Sequence, residues 1–138
     1  MCVGDETKIA VVVRDDLETW QKLNVTAFVA SGMGTSAPEL IGPPYEDASG
    51  LKYHPMFGIP VLVFSGGARE LRRAFDRARS RGLVMAVYTD ELFGTGNDID
   101  NRAAVAAVAT EDLSLAGFAV AGDHRTVDKA LDKLRLHP

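Results

Sequence analysis

Four short runs rich in valine, leucine, phenylalanine and alanine recur along this chain, each followed by residues with helical spacing. They are KIAVVV (8–13), PVLVF (60–64), LVMAVYT (83–89) and LAGFAVA (115–121). Runs so poor in polar residues belong to strands buried on both faces of a sheet. The segments between them read as helices over 17–31, 68–81, 100–109 and 124–134. In the second, Leu71, Ala74, Phe75 and Ala78 make one core stripe; in the last, Val127, Ala130, Leu131 and Leu134 do so. Asp16 and Asp123 stand where a carboxylate can cap the first and last helices. Strands alternating with helices predict an α/β fold in three layers, α/β/α, around a small mixed, mostly parallel sheet of about four strands. With 138 residues and no linker or repeat, the expectation is a single domain over 1–138.

One motif competes with this plan. GMGTSA (32–37) has the G-x-G-x-x-A spacing of a dinucleotide loop, which must follow a strand and open a helix. Here the glycines follow a helix, and Pro38, Pro43 and Pro44 come soon after. They read instead as a helix stop and the start of a long loop, 33–60, within which 51–53 has the pattern of a short edge strand. No cofactor is expected. The three histidines, His54, His124 and His137, lack metal-ligand spacing, and the lone Cys2 excludes an internal disulfide or a multi-cysteine metal site. A lone cysteine also fits a reducing compartment. No run approaches the ~18 apolar residues of a membrane span, and the first seven residues lack a signal-peptide layout, so a cytoplasmic protein is expected. A net charge of −4 disfavours broad nucleic-acid binding.

The first helix, 17–31, is apolar nearly all round, with Trp20, Leu23, Ala27 and Phe28 on one side and Val25 and Val29 on another. Such a helix is packed from two directions, by its own sheet and by something else, and a homodimer through this helix is the expectation. Asn24 falls among its apolar residues and needs a hydrogen-bond partner. The helix at 68–81 carries six arginines interrupted by Glu70 and Asp76. A solvated face, with Asp76 pairing Arg72 or Arg73, ranks ahead of a platform for tRNA or another RNA.

VVVRDDL (11–17), LVMAVYTDE (83–91) and AGFAVAGDHRTVDKALDKLRL (116–136) carry a resemblance that spans nearly the whole chain. In order and spacing they resemble the type 2 peptidyl-tRNA hydrolase superfamily, and most closely an uncharacterised bacterial branch of it. The resemblance implies a three-layer α/β/α domain and a catalytic lysine, aspartate and threonine. Asp90 matches the aspartate, Lys22 matches the lysine if one gap is allowed and Leu23 takes its place otherwise, and Ser114 stands near the position of the threonine. The family's glutamine and histidine are not reproduced in NVTAFVAS (24–31).

Asp90, ending a strand, either orients water or acts as base in ester cleavage, or it caps a turn. Lys22 is a positive charge for an acyl or phosphate oxygen, or a solvated side chain. Asn24 is a hydrogen-bonding site residue or a satisfied amide. His54 and Tyr53 in the long loop, together with Ser114, are candidate ligand-binding residues. A binding module for a small ligand or a partner ranks ahead of a hydrolase of a peptidyl-tRNA-like ester that uses Asp90, Lys22 and Asn24.

Overall fold

The structure, a computed structural model, describes residues 6–138; Cys2 lies outside them. The strands are β1 (Thr7–Arg14), β2 (Tyr45–Glu46), β3 (Lys52–Tyr53), β4 (Val61–Gly66), β5 (Val84–Thr89), β6 (Leu115–Asp123) and β7 (Arg135–Leu136). The helices are α1 (Thr19–Ser36), α2 (Ala68–Ser80), α3 (Asp98–Ala106) and α4 (His124–Ala130). Five strands form one sheet in the order β5-β6-β1-β4-β7, and β2 and β3 form a separate hairpin.

The fold is α/β with helices on both faces, as the alternation of periods predicts. The sheet differs from the expectation in strand count and direction. Only β1 and β4 pair parallel; β1–β6, β5–β6 and β4–β7 pair antiparallel. Apolar runs mark strands as buried but carry no direction, and the two-residue β7 is too short to leave a pattern. The sequence's expectation of a mostly parallel sheet of four strands is therefore corrected to five strands with mostly antiparallel pairings.

Alternation along β1 builds the core on both sides. Ile9, Val11 and Val13 join Val25, Val29 and Met33 of α1, while Ala10 and Val12 join Leu71, Phe75 and Val127 of α2 and α4. β1 and β6 are central and buried on both faces, which is why their sequences are nearly free of polar residues.

Helix α1 also departs from expectation. It runs through Gly32 and Gly34 to Ser36, and its last cap bond runs from the Ala37 N–H to the Met33 carbonyl. Gly32 is a site of close approach rather than a stop: a Cβ there would lie 2.7 Å from Cβ of Ala86 on β5. Pro38, opening a short 3-10 turn, follows the true end. At the other end Asp16 does not cap. Its carboxylate accepts from Arg14 Nε at 2.6 Å, and Glu18 opens the helix, its N–H donating to Gln21 Oε1 at 2.9 Å. Asp123 does cap α4, accepting from the Arg125 and Thr126 N–H groups.

The expected loop at 33–60 is thus shorter than the sequence suggests. Ile41 bridges Phe57, and the bonds Gly42 N–H to Met56 O (2.8 Å) and Gly58 N–H to Leu40 O (2.7 Å) pinch its base. Beyond that base, residues 43–56 form an exposed arm around the β2–β3 hairpin.

Candidate functional site

β1, β4 and β5 share a direction and β6 runs against them, so their carboxyl ends and the start of β6 gather at one edge of the sheet. Open α/β sheets place ligand-binding groups at such edges. Two arrangements are built there.

The first is a cluster around Asp90. Arg14, the last residue of β1, donates from Nη1 to Asp90 Oδ2 and from Nη2 to Asp90 Oδ1, both at 2.9 Å, and from Nη1 to the Leu115 carbonyl at 2.8 Å. Ser114 Oγ donates to Asp90 Oδ2, and the Asp90 N–H donates to the Ser114 carbonyl at 3.0 Å. Burial alone would raise the Asp90 carboxyl, but its bonds from Arg14 and Ser114 outweigh burial and hold it below the ordinary aspartate value. The Arg14 guanidinium is driven further toward its charged form, chiefly by the Asp90 bond. Asp90 is thus a committed anion with both oxygens occupied. A two-point pair of this kind fixes geometry as well as charge.

The second is a cleft of about 410 Å³ beside it. Helix α1 contributes Trp20, Asn24 and Phe28, β5 contributes Tyr88, and the turn after β5 contributes Phe93. The rings form a chain: Trp20 meets Phe93 edge-on at 5.8 Å, Phe93 meets Tyr88 at 5.0 Å, and Tyr88 meets Phe28 edge-on at 5.6 Å. Tyr88 is buried, whereas Trp20 and Phe28 keep 60% and 51% of their surfaces open, so ring faces remain available. Asn24 Nδ2 donates to the Tyr88 hydroxyl at 3.0 Å, the bond its apolar setting demands. Burial raises the Tyr88 phenol and the Asn24 bond only partly opposes that, so it stays neutral. Across the cleft, Thr95 Oγ1 donates to Asn101 Oδ1. Among the described residues, the side-chain atoms Asn24 Oδ1 and Asn101 Nδ2 have no partner. They leave one acceptor and one donor for a guest. The cleft's carboxylate, Asp98, is paired with Arg102 one turn along α3.

The sequence-predicted residues are only partly brought together. Ser114 meets Asp90, and Asn24 meets Tyr88, two positions before Asp90. Lys22 stands apart: its Nζ lies 3.3 Å from His137 Nε2, at the β7 side of α1. Positions two apart on a helix point to opposite sides, so Lys22 and Asn24 diverge. His54 and Tyr53 sit on the arm, whose base joins the amino end of β4, at the sheet edge away from Ser114. His54 is exposed, and the Tyr53 hydroxyl donates to Asp47 Oδ2 at 2.8 Å. Arg14, Tyr88 and Phe93 were missed. Arg14, a charged residue ending a wholly apolar central run, was the one legible signal. On α2 the predicted Arg72–Asp76 pair is present at 3.5 Å, and Arg72 Nη2 also donates to the Thr110 carbonyl at 2.7 Å. No group of three or more metal-ligating side chains occurs among the described residues. No helix among them is long and apolar enough to cross a membrane.

Fold and cleft together define an α/β domain with an open, ring-lined cleft at the carboxyl edge of its sheet. The chain belongs to the family of proteins of unknown function designated DUF2000, whose model matches residues 7–138. It is also similar to a solved structure, the protein of unknown function Atu0240 from Agrobacterium tumefaciens str. C58, at 38% identity and a TM-score of 0.93. That match covers 96% of this chain and 98% of the other. No curated protein matches it.

Proposed function

We propose that this protein is a binding module for a small, neutral ligand that carries a flat ring and an amide-like edge. The observation that carries this is the pairing of exposed ring faces on Trp20 and Phe28 with one free acceptor, on Asn24, and one free donor, on Asn101. A cleft of about 410 Å³ falls in the usual range for small-molecule sites. Its one carboxylate is already paired, which favours an uncharged guest.

An ester hydrolase, the reading that the likeness to type 2 peptidyl-tRNA hydrolases supports, would use Asp90 as base. Its bond to Ser114 keeps two of the candidate residues together. Both of its oxygens are nevertheless bound to Arg14, and a low-affinity carboxylate for protons is a poor base. The binding module is therefore the better supported of the two.

The single tryptophan provides the test. Titration with nicotinamide should quench or shift Trp20 emission saturably, at millimolar concentration. Cyclohexanecarboxamide, which lacks the flat ring, should do so more weakly, and Asn101→Ala should weaken the nicotinamide response. A linear, unsaturable response that is the same in Asn101→Ala would refute the proposal.

A further inference from the structure

Helix α1 has a second face that nothing among the described residues covers. Its eighteen residues include one charge, Lys22, and that side chain turns toward His137. The outward stripe is Trp20, Leu23, Ala27, Ser31 and Gly34, with Trp20 60% and Leu23 66% exposed. A helix face open to water ordinarily carries charge; this one carries none.

The stripe complements itself. If two copies of α1 cross antiparallel with Ala27 on the two-fold axis, Leu23 of one faces Ser31 of the other, and Trp20, at the rim between this stripe and the cleft, meets Gly34 at its edge and leaves the cleft open. Large residues then meet small ones at every step. Gly34 supplies an independent sign. A Cβ there would meet only Ile41 Cδ1 at 3.6 Å, an ordinary contact, and the helix would gain about 1 kcal/mol from alanine. Unlike Gly32, Gly34 is not required by packing against the described residues.

The arm springs from the same end of the helix. Its base, at Ile41 and Phe57, lies beside the carboxyl end of α1, which the antiparallel pairing sets against the amino end of the other copy's α1. Tyr45, Leu51, Tyr53 and Met56 on the arm are each half exposed or more. With about 150–250 Å² per whole aromatic side chain, and roughly half to two thirds of each side chain open, these four with Trp20 and Leu23 offer several hundred Å² per copy. That is the scale of the ~800 Å² each partner buries in a standard interface. The two helix stripes carry no charge and meet without repulsion, while the arm carries both signs, Glu46 and Asp47 beside Lys52.

We infer that the occupant of this face is a second copy of this chain, in an isologous dimer centred on Ala27 with the arms clasping at its ends. Light scattering and sedimentation of the full chain at micromolar concentration should give twice the 14.8 kDa chain mass. Ala27→Glu and Leu23→Glu should give folded monomers, with unchanged far-UV circular dichroism. The double change Tyr45→Ser/Tyr53→Ser should weaken the dimer by about tenfold or more. In a Cys2→Ser background, Ala27→Cys should oxidise to a covalent dimer, whereas Arg73→Cys on α2 should not. A monomeric wild type, a dimer indifferent to Ala27→Glu, or cross-linking at position 73 but not at 27 would each overturn the inference.

Discussion

Arg14 and Asp90, 76 positions apart, meet through two parallel hydrogen bonds of 2.9 Å over the first residue of β6, tying together β1 and β5, which are not neighbours in the sheet. The Arg14 guanidinium also takes the Leu115 carbonyl, so one side chain holds three strand ends. This is how the edge that carries the cleft keeps its shape.

Removing one partner leaves the other charge partly buried and unmatched. Arg14→Ala should lower stability by about 1–3 kcal/mol in urea unfolding; the solvent exposure of Asp90 keeps the cost below that of a fully buried pair. Asp90→Asn should cost less, because the amide oxygen still accepts from Arg14 Nη1 and Ser114, although its NH2 group cannot accept the second Arg14 bond.

The same pair sets a pH dependence. Asp90 titrates below the ordinary 3.8 when folded, so its contribution is complete above that value and is lost as pH falls through the folded one. The unfolding midpoint of the wild type should therefore drop below about pH 4. Asp90→Asn should lack that component of the drop, compared by thermal melts at matched ionic strength.

Two glycines two residues apart should behave oppositely. Gly32→Ala pushes a methyl to 2.7 Å from Ala86 and should destabilise the fold despite better helix propensity. Gly34→Ala meets nothing closer than 3.6 Å and should stabilise by up to about 1 kcal/mol. Urea midpoints measured in the Ala27→Glu background, free of contact between copies, compare the two directly.

Tyr88→Phe should leave the core packing intact and strand the Asn24 amide. The expected loss is about 1 kcal/mol, and Asn24→Ala on top of it should add little, as a double-mutant cycle would report.

Incubation with peptidyl-tRNA separates binding from hydrolysis. The expected outcome is no release of free tRNA above buffer. Release that disappears in Asp90→Asn would instead establish the hydrolase.

How far the chain could be read without coordinates varies by element. Strands β1, β4, β5 and β6 were legible because burial on both faces strips a strand of polar residues. The stripes of α2 and α4 were legible because one buried side leaves a 3.6-residue period. The end of α1 was misread, since a glycine that lets a sheet approach looks, in sequence, like one that stops a helix. Asn24 announced its need of a partner without naming Tyr88.

What the sequence determined by itself was local: which segments are strands or helices, which faces are apolar, and that one helix carries almost no charge. Those properties depend on neighbours within a few residues. The tertiary structure alone decided strand direction, the closure of Arg14 on Asp90, and the gathering of Trp20, Phe28, Tyr88 and Phe93 around one cleft. Each of these joins residues far apart in the chain, and no spacing along a sequence encodes a distance across a sheet.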